Sequence, residues 1–116
     1  MAETVTVIGN TRALTPTGGV TANVGNVATK TNTFHVVNAS TTVYAYVGVF
    51  NSWSQANKTD HPSVGSDAGG IILTPNESMI IQGNFGTAAL ATGGNVYVAA
   101  ITATGSTSVF FTPIAP

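Results

Sequence analysis

The stretch Asn95-Val96-Tyr97-Val98-Ala99-Ala100-Ile101-Thr102-Ala103-Thr104-Gly105-Ser106-Thr107-Ser108-Val109-Phe110-Phe111-Thr112-Pro113 decides how the chain is read. Its first arm is β-branched and aromatic with small residues between, its middle is a Thr-Gly-Ser turn cluster, and its second arm is apolar. That pattern predicts a β-hairpin. Alternation places Tyr97, Ala99 and Ile101 on one face and Val96, Val98 and Ala100 on the other, so both faces are apolar enough to be covered. A strand covered on both sides belongs in the middle of a sandwich or at a subunit interface. Pro113 has no N–H for a ladder, so pairing is expected to stop there.

The remaining segments repeat the theme. Thr4 to Ile8 alternates and suggests a first strand, and Pro16-Thr17-Gly18-Gly19 is a turn. Val20 to Thr33 is polar and small, as edge strands are. Phe34–Val37 and Thr42–Phe50 are predicted to form a second hairpin around the turn Asn38-Ala39-Ser40-Thr41. In its long arm Val43, Ala45, Val47 and Val49 share one face while Tyr44, Tyr46, Gly48 and Phe50 share the other. Ile71-Ile72-Leu73 and Met79–Gln82 read as a third hairpin around Thr74–Ser78, and Gly83 to Gly94 as a loop anchored by Phe85 and Leu90. Seven or eight short strands without a convincing helix are the signature of an all-β chain, a single antiparallel β-sandwich or jelly roll over residues 1–116. The expected core is Val43, Val47, Val49, Ile72, Ile80, Val98, Ile101 and Phe110.

Composition narrows function. Only 6% of the 116 residues are charged, against roughly a quarter in ordinary soluble domains. The three basic residues, Arg12, Lys30 and Lys58, are far apart, so no patch exists to neutralise a nucleic-acid backbone or to hold an anionic membrane electrostatically. No apolar run is long enough for a membrane-spanning helix. Cysteine is absent, and the opening Met-Ala-Glu-Thr has neither the basic nor the apolar part of a secretory signal, so synthesis is expected in the cytosol. A surface of Thr, Ser, Asn and Gly suits a protein that works outside cells. Virion proteins satisfy both conditions, since they assemble in a reducing cytoplasm and leave with the particle.

The Val96–Pro113 segment, the Leu73-Thr74-Pro75-Asn76-Glu77-Ser78 turn and the uncharged composition resemble the small decoration, or cement, proteins of tailed-bacteriophage capsids. That resemblance implies a jelly-roll or β-sandwich domain docked on the outside of the head. It also implies binding to the major capsid protein and self-association, a homotrimer being favoured and a dimer possible. The protein would then be made in the host cytoplasm and reside on the virion exterior, with no enzymatic activity, no cofactor and no metal.

Candidate chemistry is sparse. His35 lies between Phe34 and Val36 on a strand, as a structural or interface histidine would. Asp60, His61 and Asp67 share the long polar segment 51–70, where solvation competes with a cation site as the explanation. Glu3 and Glu77 complete the acids, and no nucleophile elbow, phosphate loop, dinucleotide fingerprint or zinc-protease motif is present. A structureless insertion of that length is usually functional, and it holds the single Trp53. The residues singled out for partner binding are therefore Trp53, Tyr44, Tyr46, Asp60 and His61. Trp and Tyr are typical anchors of protein contacts, and they would equally stack on a sugar. The alternative function is thus a carbohydrate- or receptor-binding module of a phage tail fibre.

Overall fold

The computed structural model describes residues 5–18, 22–57, 59, 71–85 and 95–115. Eight strands follow in chain order: β1 (Arg12–Leu14), β2 (Asn23–Ala28), β3 (Thr33–Asn38), β4 (Ala45–Phe50), β5 (Ile71–Leu73), β6 (Ser78–Gln82), β7 (Asn95–Ile101) and β8 (Val109–Pro113). One helical turn, α1 (Trp53–Ala56), sits between β4 and β5. Two four-stranded antiparallel sheets result, in the orders β1-β8-β3-β6 and β2-β7-β4-β5. The chain is a β-sandwich.

β7 occupies the position its sequence requires, between β2 and β4 in the middle of the second sheet. Val96, Val98 and Ala100 point into the sandwich, where they join side chains from all eight strands, including Leu14, Val27, Phe34, Val47, Leu73, Ile81 and Phe111. Each fully buried Val, Leu, Ile or Phe contributes about 1.5–3 kcal/mol. Tyr97, Ala99 and Ile101 face outward and are covered in their turn, forming a second, smaller cluster with Ala22, Val24, Tyr46, Phe50 and Ala56. Gly48 lies beneath this cluster, and a Cβ there would come within 2.5 Å of the Phe50 ring. The glycine lets the ring fold back over its own strand.

None of the three predicted hairpins pairs its own arms. β3 and β4, β5 and β6, and β7 and β8 each fall in opposite sheets, so their connections cross from one layer to the other. The hydrogen-bonded pairs are instead β1 with β8, β2 with β7, β3 with β6 and with β8, and β4 with β5 and with β7. Turn residues announce that the chain reverses, and they do so equally for reversal within a sheet and between sheets. The Thr74–Glu77 turn makes this plain. Its Glu77 N–H donates to Thr74 O at 3.1 Å and Asn76 has φ of 60°, the left-handed value that a type II turn places at its third residue. It nonetheless links strands whose inward residues, Leu73 and Ile81, meet across the core.

Asn38, read from sequence as a turn residue, closes these crossings. Its side chain is fully buried at the end of β3. The amide nitrogen lies 2.8 Å from Val43 O, 3.1 Å from Leu73 O and 3.2 Å from Thr74 O. Its carbonyl oxygen accepts from Ser40 N–H at 3.2 Å and from the Thr107 hydroxyl at 2.6 Å. One side chain thus ties together the β3–β4, β5–β6 and β7–β8 connections. Buried amides persist only where such partners meet them.

Several other expectations are corrected. The predicted strand Thr4–Ile8 forms only a single bridge, Val7 with Ile114, among its described residues, and the first strand is Arg12–Leu14. Pairing does not end at Pro113: the next amide, Ile114 N–H, donates to Thr33 O at 3.0 Å, while Pro113 O accepts from Ile8 N–H. Of the expected core, Val47, Val49, Val98 and Ile101 are buried, whereas Ile72, Ile80 and Phe110 are 46%, 43% and 37% exposed and Val43 is half-buried. The misplaced residues have apolar neighbours in sequence, Ile71 and Leu73, Ile81, and Val109 and Phe111. Alternation there separates two faces without saying which one is inside. β2 is an edge strand, as its polar composition indicated. Val20 and Leu90 lie outside the described residues.

Candidate binding surface

Three surfaces carry the side chains capable of recognition. The first is the outer face of β2-β7-β4-β5. Its middle is shielded by α1, whose Ala56 is fully buried against Ala99 and Ile101, and by Thr59. Thr59 Oγ1 is buried without a hydrogen-bond partner among the described residues and lies 3.3 Å from the position a Gly48 Cβ would take. Tyr44, 50% exposed, and the half-buried Tyr46 stand at the start of β4, two residues apart and so on one side. With Thr42, Val43, Ala103 and Thr104 they line a shallow cleft of about 230 Å³. Ile72 is the cross-strand neighbour of Tyr46 and extends the apolar area toward the sheet edge.

Trp53 is 55% exposed, as a contact residue should be, but it follows the other end of β4. Tyr44 and Phe50 are separated by about 20 Å of extended strand at ~3.3 Å per residue. The predicted grouping is therefore divided: Tyr44 and Tyr46 share a cleft, and Trp53 stands apart on α1. Asp60, His61 and Asp67, with most of segment 51–70, lie outside the described residues, as does Glu3.

The second surface is the outer face of β1-β8-β3-β6. Register places Ala13, Phe110, Val37 and Ser78 in one row across it and Thr112, His35 and Ile80 in the next. His35 is half-buried on this outer face, with Ser78, Met79 and Ile80 beside it. The row of Thr112 is continued by Thr11, whose hydroxyl lies 2.8 Å from that of Thr112.

The third surface is the open side of the sandwich where β1 and β2, edge strands of opposite sheets, approach one another. A cleft of about 310 Å³ lies there, lined by Asn10, Thr11, Arg12, Asn26, Val27 and Ala28. No motif marks it, because its parts come from two strands of opposite sheets that only the packing of the sandwich brings together. Its signal is a single charged residue, Arg12, in an otherwise uncharged neighbourhood.

Among the described residues no group of three or more His, Cys, Asp or Glu side chains converges, and no helix is long and apolar enough to cross a membrane. Comparison with protein families, with curated proteins and with solved structures gave no match.

Proposed function

We propose that this chain is a non-enzymatic virion structural protein, a capsid decoration protein that binds the outside of a phage head and stabilises the major-capsid lattice. The observation that carries the reading is the pattern of exposure. Val7, Tyr44, Trp53, Ile72, Ile80 and Phe110 are large apolar side chains between 37% and 58% exposed, spread over a surface that is nearly free of charge. Apolar side chains on both outer faces, with so little charge to keep copies apart, suit a protein that neighbours cover in a lattice. The pairing of β1 with β8, β2 with β7, β3 with β6 and β4 with β5 is what one long hairpin acquires when rolled into two sheets, which favours a jelly roll within the sandwich class.

Stabilisation would operate by mass action: a protein that binds the expanded shell and not its collapsed or open forms shifts the equilibrium toward the expanded shell as sites fill. A homotrimer, or alternatively a dimer, touching several capsid subunits gains further through effective concentration. The test is co-sedimentation of the purified protein with unexpanded and expanded heads of the phage whose genome carries the sequence. Saturable binding to expanded heads is expected, and absence of the chain from purified virions by mass spectrometry would refute the reading. The Tyr44–Tyr46 cleft favours one alternative, a carbohydrate-binding module of a tail fibre, and glycan binding that is lost in Tyr44→Ala would select it.

A further inference from the structure

We infer that the open side between β1 and β2 is the docking edge of the protein, and that it receives an extended segment of the major capsid protein whose carboxylate is held by Arg12. The inference rests on the decoration reading and specifies the surface used and the chemistry of the partner.

Four observations meet at this edge. Arg12 is exposed, and no hydrogen bond or ion pair among the described residues engages its guanidinium. Five N–H donors in a planar fork are thus presented to a cleft whose other polar side chains are Asn10, Thr11 and Asn26. Second, the stem of Arg12 is seated. A Cβ on Gly25 of β2 would lie 2.8 Å from Arg12 Nε and 3.2 Å from its Cγ, so the missing side chain is what lets the arginine lean across from β1 to β2. A seated guanidinium loses less freedom on binding than a free one.

Third, no carboxylate of the described residues is available to it. Glu77, the single acid among them, accepts from the amide and hydroxyl of Thr74 at 2.8 and 3.1 Å. A guanidinium that no carboxylate among the described residues engages is complementary to a carboxylate from outside, which it binds through two parallel hydrogen bonds. A lone arginine in an uncharged setting is too little for a nucleic-acid backbone, which needs many cations in a row. Fourth, β2 is a six-residue edge strand, Asn23-Val24-Gly25-Asn26-Val27-Ala28, with neither charge nor proline along it. Edges are normally defended by such residues, and an undefended edge is a template for an added strand. The exposed Val7 and Ile8 continue this edge beside β8 through their pairing with Ile114 and Pro113, and they supply apolar contact beside the polar cleft.

The test uses expanded heads and three proteins, wild type, Arg12→Gln and Arg12→Lys, and adds Tyr44→Ala to report on the competing surface at the start of β4. Thermal unfolding of Arg12→Gln and Arg12→Lys should stay close to wild type, because Arg12 is exposed, no hydrogen bond or ion pair among the described residues engages it, and both variants keep a stem to rest against Gly25. Arg12→Gln is expected to weaken head binding at least about tenfold, since it leaves the partner carboxylate without its counter-charge. Arg12→Lys should fail to restore it, because an ammonium cannot make the two-pronged contact. Added salt should weaken the wild type more than Arg12→Gln. Wild-type protein that does not bind heads would overturn the decoration reading together with this inference. Arg12→Gln that binds heads like wild type, or Tyr44→Ala that abolishes binding while Arg12→Gln does not, would overturn the inference alone.

Discussion

Replacing Asn38 by alanine should destabilise the domain more than any other single change to a polar side chain. The amide has two hydrogens and two acceptor positions, so at most four of its five close contacts are satisfied together: two among Val43 O, Leu73 O and Thr74 O, plus those from Ser40 N–H and Thr107 Oγ1. At a net value of about 1 kcal/mol each, the loss is about 4 kcal/mol. A domain of ordinary stability has only about 5–15 kcal/mol to lose. In urea, with a slope of about 1–3 kcal/mol per molar, the midpoint should fall by roughly 2 M. Asn38→Asp separates hydrogen bonding from cavity formation, because the shape is kept. Its carboxylate would face three carbonyl oxygens, and burial with that repulsion raises the acid's folded-state pKa above its unfolded value of about 3.9. The protonated acid still donates once, so this variant is most stable below the unfolded pKa. It loses stability as pH rises toward the folded-state pKa, and above that the deficit is constant. A midpoint shift under about 0.5 M for Asn38→Ala, or an Asp variant insensitive to pH between about 3 and 8, would refute the view that this amide fastens the three crossings.

Ile101→Ala should cost about 2–5 kcal/mol by chemical denaturation, whereas Phe110→Ala and Ile80→Ala, on the uncovered outer face, should cost less than about 1.5 kcal/mol each. Equal costs would mean that the faces are assigned wrongly. Gly48→Ala should lose about 1–3 kcal/mol, because the new methyl group displaces the Phe50 ring, and the double variant Gly48→Ala/Phe50→Leu should recover part of that loss. Asn76→Gly should be neutral or slightly stabilising, while Asn76→Ala, forced to the same positive φ, should lose about 1 kcal/mol in thermal unfolding.

The class of fold was legible because periodicity is a local property. The sequence from Val96 to Ile101 has two apolar faces, and β7 is covered on both. Partner choice among strands is not local. Ser-Asn-Thr and Gly-Ser-Thr clusters mark reversals at Asn38–Thr41 and Thr104–Ser108, and only the positions of β6 and β8 beside β3 decide that each reversal crosses the sandwich. The same limit hid the candidate site. Tyr44 and Tyr46 are legible because residues two apart in an extended segment share a side. Arg12 passed unremarked as a site because Asn26, Val27 and Ala28 reach it only through the approach of two strands that share no ladder. Asn38 was hidden by its own chemistry, since asparagine at a chain reversal ordinarily needs no deeper explanation.

The clasp of the two chain ends bears on how the molecule comes into being. Val7 bridges Ile114, Ala115 N–H donates to Thr6 O, and β1 has β8 as its one partner in the first sheet. While the protein is being synthesised, β1 and β2 therefore emerge long before anything they can pair with. The second sheet cannot close until β7 has been made, and the first not until β8 has. Assembly is accordingly dominated by contacts between distant parts of the chain and slow for its size, on the order of milliseconds to seconds. Until then the nascent strands remain open to other nascent copies, and loss of β8 would remove the partner on which β1 waits.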